Sequence, residues 1–356
     1  MKKRIIPAAL IMGITLIALT GCGKDAGTST KVELRDDPVK SSTDYAEGSG
    51  NASQADSSKS DGKENSNTIK IGFVQTANES GWRAAHTKSM EETFSDTSKY
   101  TYTFVDGQGD QAVQIAGIEK FINEGYDAIV LAPIVESGWD DILKKAQEAK
   151  IPVVIVDRQV DSDESLYSCW VGSDFETEGK NAANWLVEQL GTSAPKNIVV
   201  LEGTAGASAT LGRTKGFNEI ISQNGNYTIL ASETADFDKA KGKALMLDYL
   251  TRFPAIDVIV TQNDNMAYGV MEALTEKGAN IENYTIISFD GEAEAFKLMV
   301  DGKIDLDVEC NPLQGPTVEK LLTDLIDGKT VDKTQYMKEG VYPASTAKDE
   351  VANRKY

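Results

Sequence analysis

The residues with the most suggestive chemistry stand at positions 79–83, where ESGWR follows the apolar run IKIGFVQTA. Trp82 offers a flat apolar indole, and Arg83 offers a planar fork of hydrogen-bond donors. Together they suit a small ligand that has both C–H faces and hydroxyl groups, as a sugar does. For one isolated pentapeptide, a helix-core tryptophan beside a solvated arginine is the simpler interpretation, so the rest of the chain must decide.

Composition limits the classes of function. The chain has 356 residues, of which 40% are hydrophobic and 26% are charged. This composition predicts a globular protein of about two domains. Lys and Arg number 36 against 55 Asp and Glu, a formal net charge of -19. Such a surface repels phosphate backbones and anionic lipids, so we expect no nucleic-acid partner.

The first 22 residues are typical of an export signal. The basic head MKKR precedes IIPAALIMGITLIAL, and the stretch ends in Leu19-Thr20-Gly21-Cys22. That tetrapeptide resembles the bacterial lipobox, which implies lipidation of Cys22 and anchoring to the outer face of the bacterial cell membrane, on the periplasmic side in a diderm. A plain signal peptide is the alternative. Residues 23–67 contain almost no large apolar residue, so we predict a disordered leash.

From residue 68 onward, short β-rich runs alternate with segments whose apolar residues recur at helical spacing. The strand candidates are IKIGFVQ, YTYTFVDG, DAIVLAP, PVVIVDR, YSCWVG, NIVVLEG, YTILASE, DVIVTQN, YTIISFD and DLDVEC. Alternation of this kind predicts parallel sheets with helices on both faces. Ten strands would make one unusually wide sheet, and the pattern restarts at NIVVLEG. We therefore predict an α/β fold of two doubly wound lobes.

Polar side chains follow most of these strands. The strand ends read ESGWR, DGQGD, APIVESGW, DRQ, EGTAGAS, QNDN and FDGE. Because ligands of such sheets collect beyond the carboxyl ends of the strands, these segments predict one polar binding cleft. Individually, Ser80 or Asp264 could serve only as a helix cap, and Asp106 or Asp290 only as a turn former.

With these segments, residues 68–345 resemble the periplasmic sugar-binding proteins of ABC transporters, of the ribose and galactose type, and most of all its galactofuranose-binding members. The matching stretches are ESGWRAA, DGQ, QIAGIEKFINEGYDAIVLAP, GWDDILKKAQEAKIPVVIVDR, LEGTAGAS, GRTKGF, DFDKAKGKALM, NDNM and SFDGEAEAFKLMVDGKID. The resemblance implies the type 1 periplasmic binding protein fold, in which three crossover strands join two lobes. It places residues 68–172 and 311–340 in the N-terminal lobe and residues 173–310 and 341–356 in the C-terminal lobe.

The resemblance also implies a set of ligand-binding residues. They are Glu79, Trp82, Arg83, Asp106, Gln108, Asp157 and Arg158 from the first lobe, with Arg213, Phe237, Asn263 and Asp290 from the second. The aromatic rings would stack on C–H faces of a monosaccharide, while carboxylates accept from its hydroxyls and guanidiniums donate to them. The three arginines could instead bind a sugar acid. Because the four carboxylates roughly offset them, we favour a neutral sugar such as galactofuranose.

Relatives of the ribose type often carry an amide side chain at the third crossover, where this chain has VECNP. Since Cys310 lies at or near that position, we assign no ligand contact there. The resemblance puts Cys169 and Cys310 on the hinge side, so a hinge-spanning disulfide is conceivable. Two buried free thiols are the alternative.

Other chemistry finds little support in the sequence. His86 is the only histidine, which nearly excludes a histidine-based metal site and leaves one candidate for a catalytic triad. The segment GTAGAS lacks the spacing of a dinucleotide or phosphate loop. We expect no enzyme, no metal and no organic cofactor. A monomer that delivers its ligand to an ABC transporter permease and a sensor module that presents it to a membrane receptor or histidine kinase both fit the sequence.

Overall fold

The computed structural model describes residues 68–356. The predicted signal peptide over residues 1–22, the predicted lipidation site Cys22 and the predicted leash over residues 23–67 lie outside the described residues. Within residues 68–356, no helix has the length and apolar character that crossing a membrane requires.

The first lobe is built on a six-stranded parallel sheet. Its first five strands are β1 (Ile69–Gln75), β2 (Tyr100–Asp106), β3 (Ala128–Leu131), β4 (Val153–Val156) and β5 (Cys169–Gly172). The helices between them are α1 (Gly81–Thr93), α2 (Gln111–Asn123) and α3 (Asp140–Glu148). Strands β3 and β4 read AIVL and VVIV and are buried at every residue. Such unbroken apolar runs are typical of parallel strands covered on both faces.

The second lobe repeats this plan. Its helices are α4 (Phe175–Leu190), α5 (Ser208–Ile221), α6 (Lys239–Arg252), α7 (Asp264–Lys277) and α8 (Ala293–Val300). Its strands before the chain returns to the first lobe are β6 (Lys196–Glu202), β7 (Tyr227–Thr234), β8 (Val258–Thr261), β9 (Thr285–Asp290) and β10 (Leu306–Glu309). Apolar side chains on successive residues of β6 point alternately into two core clusters, one on each face of the sheet.

The C-terminal segment visits both lobes. It comprises α9 (Gly315–Ile326), β11 (Thr334–Tyr336), β12 (Val341–Pro343) and α10 (Ala344–Glu350), and short 3₁₀ turns occur at Glu164–Leu166, Ile281–Asn283 and Val351–Asn353. The first sheet has the strand order β11-β5-β4-β3-β1-β2, and the second has the order β12-β10-β9-β8-β6-β7. All described strand pairs are parallel except β10 with β12. The chain thus crosses between the sheets after β5, after β10 and after β11.

The predicted fold class is confirmed, because two α/β lobes with parallel sheets are present and each of the ten predicted strands overlaps one of β1–β10. The exact lobe boundaries stay a prediction. The conceivable disulfide is not formed: Cys169 and Cys310 are both buried free thiols. Cys169 packs in a core cluster of the first sheet, whereas Cys310 belongs to a core cluster of the second, so each sulfur has its own packing partners.

Candidate functional site

A cavity of about 290 Å³ lies between the two lobes. It is lined by Glu79, Ser80, Trp82, Arg83, Asp157, Arg158, Phe175, Ala209, Arg213, Phe237, Asn263, Asp290 and Cys310. Nine of the eleven residues singled out in the sequence are in this set. The sequence analysis did not select Ser80, Phe175, Ala209 or Cys310.

Asp106 and Gln108 are the two selected residues that the structure keeps out of this cavity. Asp106 is the last residue of β2 and Gln108 lies just after it, and β2 is an edge strand of its sheet. The Asp106 carboxylate accepts a hydrogen bond from the Gln108 backbone N–H at 2.8 Å, and the Gln108 side chain is exposed. Asp106 therefore acts here as a turn former, the alternative that the sequence offered for it.

Helix starts and strand ends position the side chains of the cavity. The Ser80 hydroxyl accepts from the backbone N–H of Arg83 at 3.0 Å and begins α1, so that Trp82 and Arg83 occupy its first turn. In the second lobe, the Asn263 side chain caps α7 in the same way through the Met266 N–H at 2.9 Å. The capping residues that begin these helices therefore also position side chains of the cavity wall.

Three residues of the cavity wall have an unusual backbone. Asp157, Phe237 and Asp290 adopt φ values of 59°, 58° and 120°. Positive φ is sterically unfavourable for residues with a Cβ, and such strained positions cluster at functional sites. All three residues line the same cavity.

In the first lobe, two arginines and two carboxylates form one buried network. Arg83 Nη2 lies 2.7 Å from Asp157 Oδ2 and 3.2 Å from Glu79 Oε1. Arg158 Nη2 lies 2.5 Å from the same Glu79 oxygen. Burial alone would raise the pKa of Asp157, but Arg83 and Arg158 together hold it below its ordinary value, so this carboxylate stays ionised.

In the second lobe, Arg213 is held by three acceptors. Its Nε lies 2.6 Å from Glu178 Oε2, its Nη1 donates to the Gln262 carbonyl at 2.5 Å, and its Nη2 lies 3.6 Å from Asp290 Oδ1. Burial raises the pKa of Glu178 to about 7, although Arg213 opposes the shift. Burial likewise raises the pKa of Asp290 against the effect of Arg213. Arg213 thus lies between the carboxyl groups of Glu178 and Asp290 in the wall of the cavity.

Aromatic rings complete the cavity wall on both sides. The Arg83 guanidinium lies 4.7 Å from the Trp82 ring centre, and the Arg158 guanidinium lies 5.0 Å from the ring centre of Phe237, which belongs to the other lobe. Trp82 Nε1 donates to the Cys310 carbonyl at 2.6 Å. This bond fixes the indole plane, so the ring can present a rigid face to a ligand.

Two donors of the cavity have no protein partner. Arg83 Nε and Nη1 are buried and make no hydrogen bond within the described residues. An unsatisfied buried donor costs about 1–3 kcal/mol, and more when the group is charged. Ligand hydroxyl oxygens in the cavity would satisfy these donors.

The lobes are closed over the cavity. The Glu136 backbone N–H donates to the Gly206 carbonyl at 3.0 Å, and the Gln159 N–H donates to the Ser208 hydroxyl at 2.7 Å. Each bond joins a loop of the first lobe to the second lobe.

His86, the one candidate base, is a satisfied core residue. Its Nδ1 lies 3.0 Å from Gln75 Nε2, and its Nε2 lies 3.2 Å from Gln314 Oε1. Burial and the nearby Arg83 charge lower its pKa to about 3. It does not line the cavity.

Comparison with known proteins gives a family match over most of the described chain. The model of the periplasmic binding protein domain matches residues 71–330. The galactofuranose-binding protein YtfQ of Escherichia coli (strain K12) is 36% identical over 293 residues, which cover 81% of this chain and 92% of that protein. The family resemblance predicted from the sequence is confirmed.

Solved structures of similar chains share the fold. A protein of Mycobacterium smegmatis in complex with β-D-fucofuranose superposes with a TM-score of 0.78 at 37% identity, over 81% of this chain and 96% of that one. The periplasmic binding protein of the arabinose ABC transporter of Shewanella sp. ANA-3, bound to α- and β-L-arabinofuranose, gives a TM-score of 0.76 at 35% identity, over 81% and 96%. Both similar chains were solved with a furanose.

Proposed function

We propose, since the chain belongs to the family of periplasmic binding proteins, that it captures a neutral monosaccharide in the interlobe cavity and delivers it to the permease of an ABC transporter. Closure of the two lobes around the sugar is the signal that the permease reads. The function is binding and release, with no chemical step and no cofactor.

The charge arrangement of the cavity supports a neutral ligand. Each of the three guanidiniums already has a carboxylate within the protein: Arg83 has Asp157, Arg158 has Glu79, and Arg213 has Glu178. A sugar acid would add a negative charge to pairs that are already balanced. A polyol instead gains from donors and acceptors of both signs, and the free Arg83 donors suit its oxygens.

A furanose is the favoured ring form. The galactofuranose-binding relative and the two structures solved with furanoses all align with about four-fifths of this chain. We further propose that lipidated Cys22 holds the exported monomer at the outer face of the cell membrane.

A thermal-shift screen tests the ligand class. The purified chain is heated with galactofuranose, ribose, arabinose, galactose and galacturonate in turn. A specific sugar at about a hundredfold excess over Kd should raise the melting temperature by roughly 5 °C or more by mass action. A rise with galacturonate alone would overturn the neutral-ligand proposal. If no sugar raised the melting temperature, the proposal that the ligand is one of these monosaccharides would be overturned.

A pair of phenylalanine variants tests the location of the site. Phe237→Leu removes an aromatic face from the cavity wall and should weaken sugar binding about two- to tenfold, since aromatic contacts contribute about 0.5–1.5 kcal/mol beyond buried area. Phe253→Leu is the matched control, because Phe253 packs on the core of the same lobe outside the cavity. Equal effects in isothermal titration would remove Phe237 from the site.

A further inference from the structure

The three crossovers between the lobes converge on one buried group of polar side chains. Ser173 lies on the crossover after β5, Cys310 on the crossover after β10, and Glu339 on the crossover after β11. The Ser173 hydroxyl lies 3.2 Å from Cys310 Sγ and donates a short hydrogen bond to Glu339 Oε1. The three segments that must bend when the lobes move are therefore in contact through these side chains.

Glu178 of α4 joins this group from the side of the cavity. One donor atom each of Glu178, Cys310 and Glu339 lies within 4.8 Å of the other two. Glu178 Oε2 pairs with Arg213, whereas Glu178 Oε1 is buried without a hydrogen-bond partner among the described residues, in a residue that is only 4% exposed. Glu178 thus keeps one buried oxygen without a partner, while Arg213 pairs with the other.

We propose that Glu178, Cys310 and Glu339 bind one divalent cation of the zinc type at the hinge. A sulfur donor beside carboxylate oxygens selects Zn²⁺ or Cd²⁺ over Ca²⁺ and Mg²⁺, which prefer oxygen ligands alone. Ser173 Oγ, in contact with Cys310 and Glu339, is placed to act as a fourth, neutral ligand. No histidine is needed, so the scarcity of histidine in this chain is no obstacle.

The charges of the site balance when a cation is bound. A thiolate and two carboxylates carry three negative charges, and the adjacent Arg213 together with a divalent cation carries three positive ones. On binding, the cation takes lone pairs of the sulfur and of the carboxylate oxygens, and any proton displaced from these atoms passes to solvent.

Metal binding requires a modest contraction of the ligand group, and a neighbouring surface pocket gives the cation access to it. Ligand atoms around tetrahedral zinc lie about 3.3–3.8 Å apart, so the group must close by about 1 Å. A surface pocket of about 490 Å³ is lined by Glu178 and Glu339 and also by Asp174 and Glu309. Its acidic wall favours the approach of cations. A bound cation would join all three crossovers and, through Glu178, the sugar cavity.

Metal uptake tests the site directly. The full chain, freed of metal with a chelator and kept reduced with a phosphine, is dialysed against micromolar Zn²⁺, and Cd²⁺ serves as the optical probe. We expect one metal per chain and an ultraviolet thiolate-to-cadmium absorption band. Cys310→Ser should abolish the band, and Glu339→Gln should weaken uptake at least about tenfold.

Cys169→Ser is the matched control, because Cys169 is also a buried free thiol but lies within β5, away from this group. It should keep the band and the one-to-one uptake. Circular dichroism tests whether each variant is folded. If Cys310→Ser does not fold, metal uptake by Glu339→Gln is the deciding measurement. The proposal is overturned by the absence of stoichiometric uptake, by a band that persists in Cys310→Ser, or by unchanged affinity in Glu339→Gln.

Discussion

His86 shows how a residue with catalytic potential becomes an inert part of the core. Its ring stacks on Trp82 with 5.2 Å between ring centres and meets the Phe73 ring edge-on at 5.8 Å. The amide of Gln75 can donate to Nδ1, and Nε2–H can donate to the Gln314 carbonyl oxygen. That arrangement uses the neutral imidazole, since a protonated ring would have a second N–H facing the Gln75 amide group.

We predict that His86 stays neutral far below the usual histidine range. Its pKa in the folded chain is lowered to about 3 by burial and by Arg83. A lowered pKa means that the unfolded chain binds the proton first, so stability is lost as the pH falls below about 6.5, by up to about 1.4 kcal/mol per pH unit. NMR of the single histidine in an untagged chain checks this, and a ring titration midpoint near 6.5 would contradict it.

Most of the candidate site residues found from sequence share one local property. Eight of the nine lie at or near the carboxyl end of a strand or the start of the next helix, which alternation in the sequence makes visible, whereas Arg213 lies in the second turn of α5. Asp106 also lies at a strand end but does not line the cavity. Strand order decides which strand ends meet, and β2 lies at an edge of its sheet. Phe175 and Glu178 were missed because a first-turn aromatic or acid of α4 resembles ordinary helix sequence until α5 packs against it.

At the scale of elements, glycines allow α4 and α5 to approach closely enough to pair Glu178 with Arg213. A Cβ on Gly216 would lie 2.0 Å from the Glu176 carbonyl oxygen, and a Cβ on Gly179 would lie 2.2 Å from the Arg213 carbonyl oxygen. Both distances are impossible for real atoms. The backbone of one helix thus occupies the space that a side chain of the other would need, and this close packing sets the depth of Arg213 in the cavity.

We predict that Gly216→Ala destabilises the protein and weakens sugar binding. Alanine in a helix interior is intrinsically favoured by about 1 kcal/mol. The clash with α4 outweighs this gain, because overpacking costs about 1–3 kcal/mol or more and moves the helix that carries Arg213. Urea unfolding monitored by circular dichroism measures the free energy of unfolding, and titration with the sugar measures the affinity.

Gly225→Ala is the control for that substitution. A Cβ at Gly225 would meet no atom of residues 68–356 within 4 Å, so the free energy of unfolding of this variant should stay the same or rise slightly. Equal urea-unfolding midpoints for the two variants would show that α4 and α5 can move apart without a loss in the free energy of unfolding. In that case the helix contact does not set the position of Arg213.

Other elements were too short to be found from the sequence. Strands β11 and β12 have three residues each. Three residues are too few for the alternating apolar pattern of a strand to be recognised in a sequence. Their place is fixed by pairing with β5 and with β10, that is, by edges of sheets already formed. The two sheets could be predicted from long β-rich runs and helical periodicity, whereas these short strands form only through tertiary contacts.

At the scale of the whole molecule, closure depends on a small set of contacts between the lobes. The Ser208 hydroxyl accepts from the Gln159 N–H at 2.7 Å, and the Gly206 carbonyl accepts from the Glu136 N–H at 3.0 Å. Such bonds exist only when the lobes are together, so they stabilise the closed state and leave the open state unchanged. A ligand and these contacts therefore favour the same state, and their free energies add.

Removing one of these bonds should act on release of the sugar more than on its capture. Ser208→Ala leaves the Gln159 N–H without its acceptor in the closed state, a loss of about 1 kcal/mol, and should raise the sugar dissociation rate about fivefold. Association should hardly change, because the open lobes that meet the sugar do not yet form this bond. Ser222→Ala is the control, since Ser222 lies at the other end of α5 and its hydroxyl donates only to Glu219 of the same lobe. Stopped-flow fluorescence separates the two rates, and a Ser208→Ala protein with unchanged dissociation would show that this contact does not hold the lobes closed.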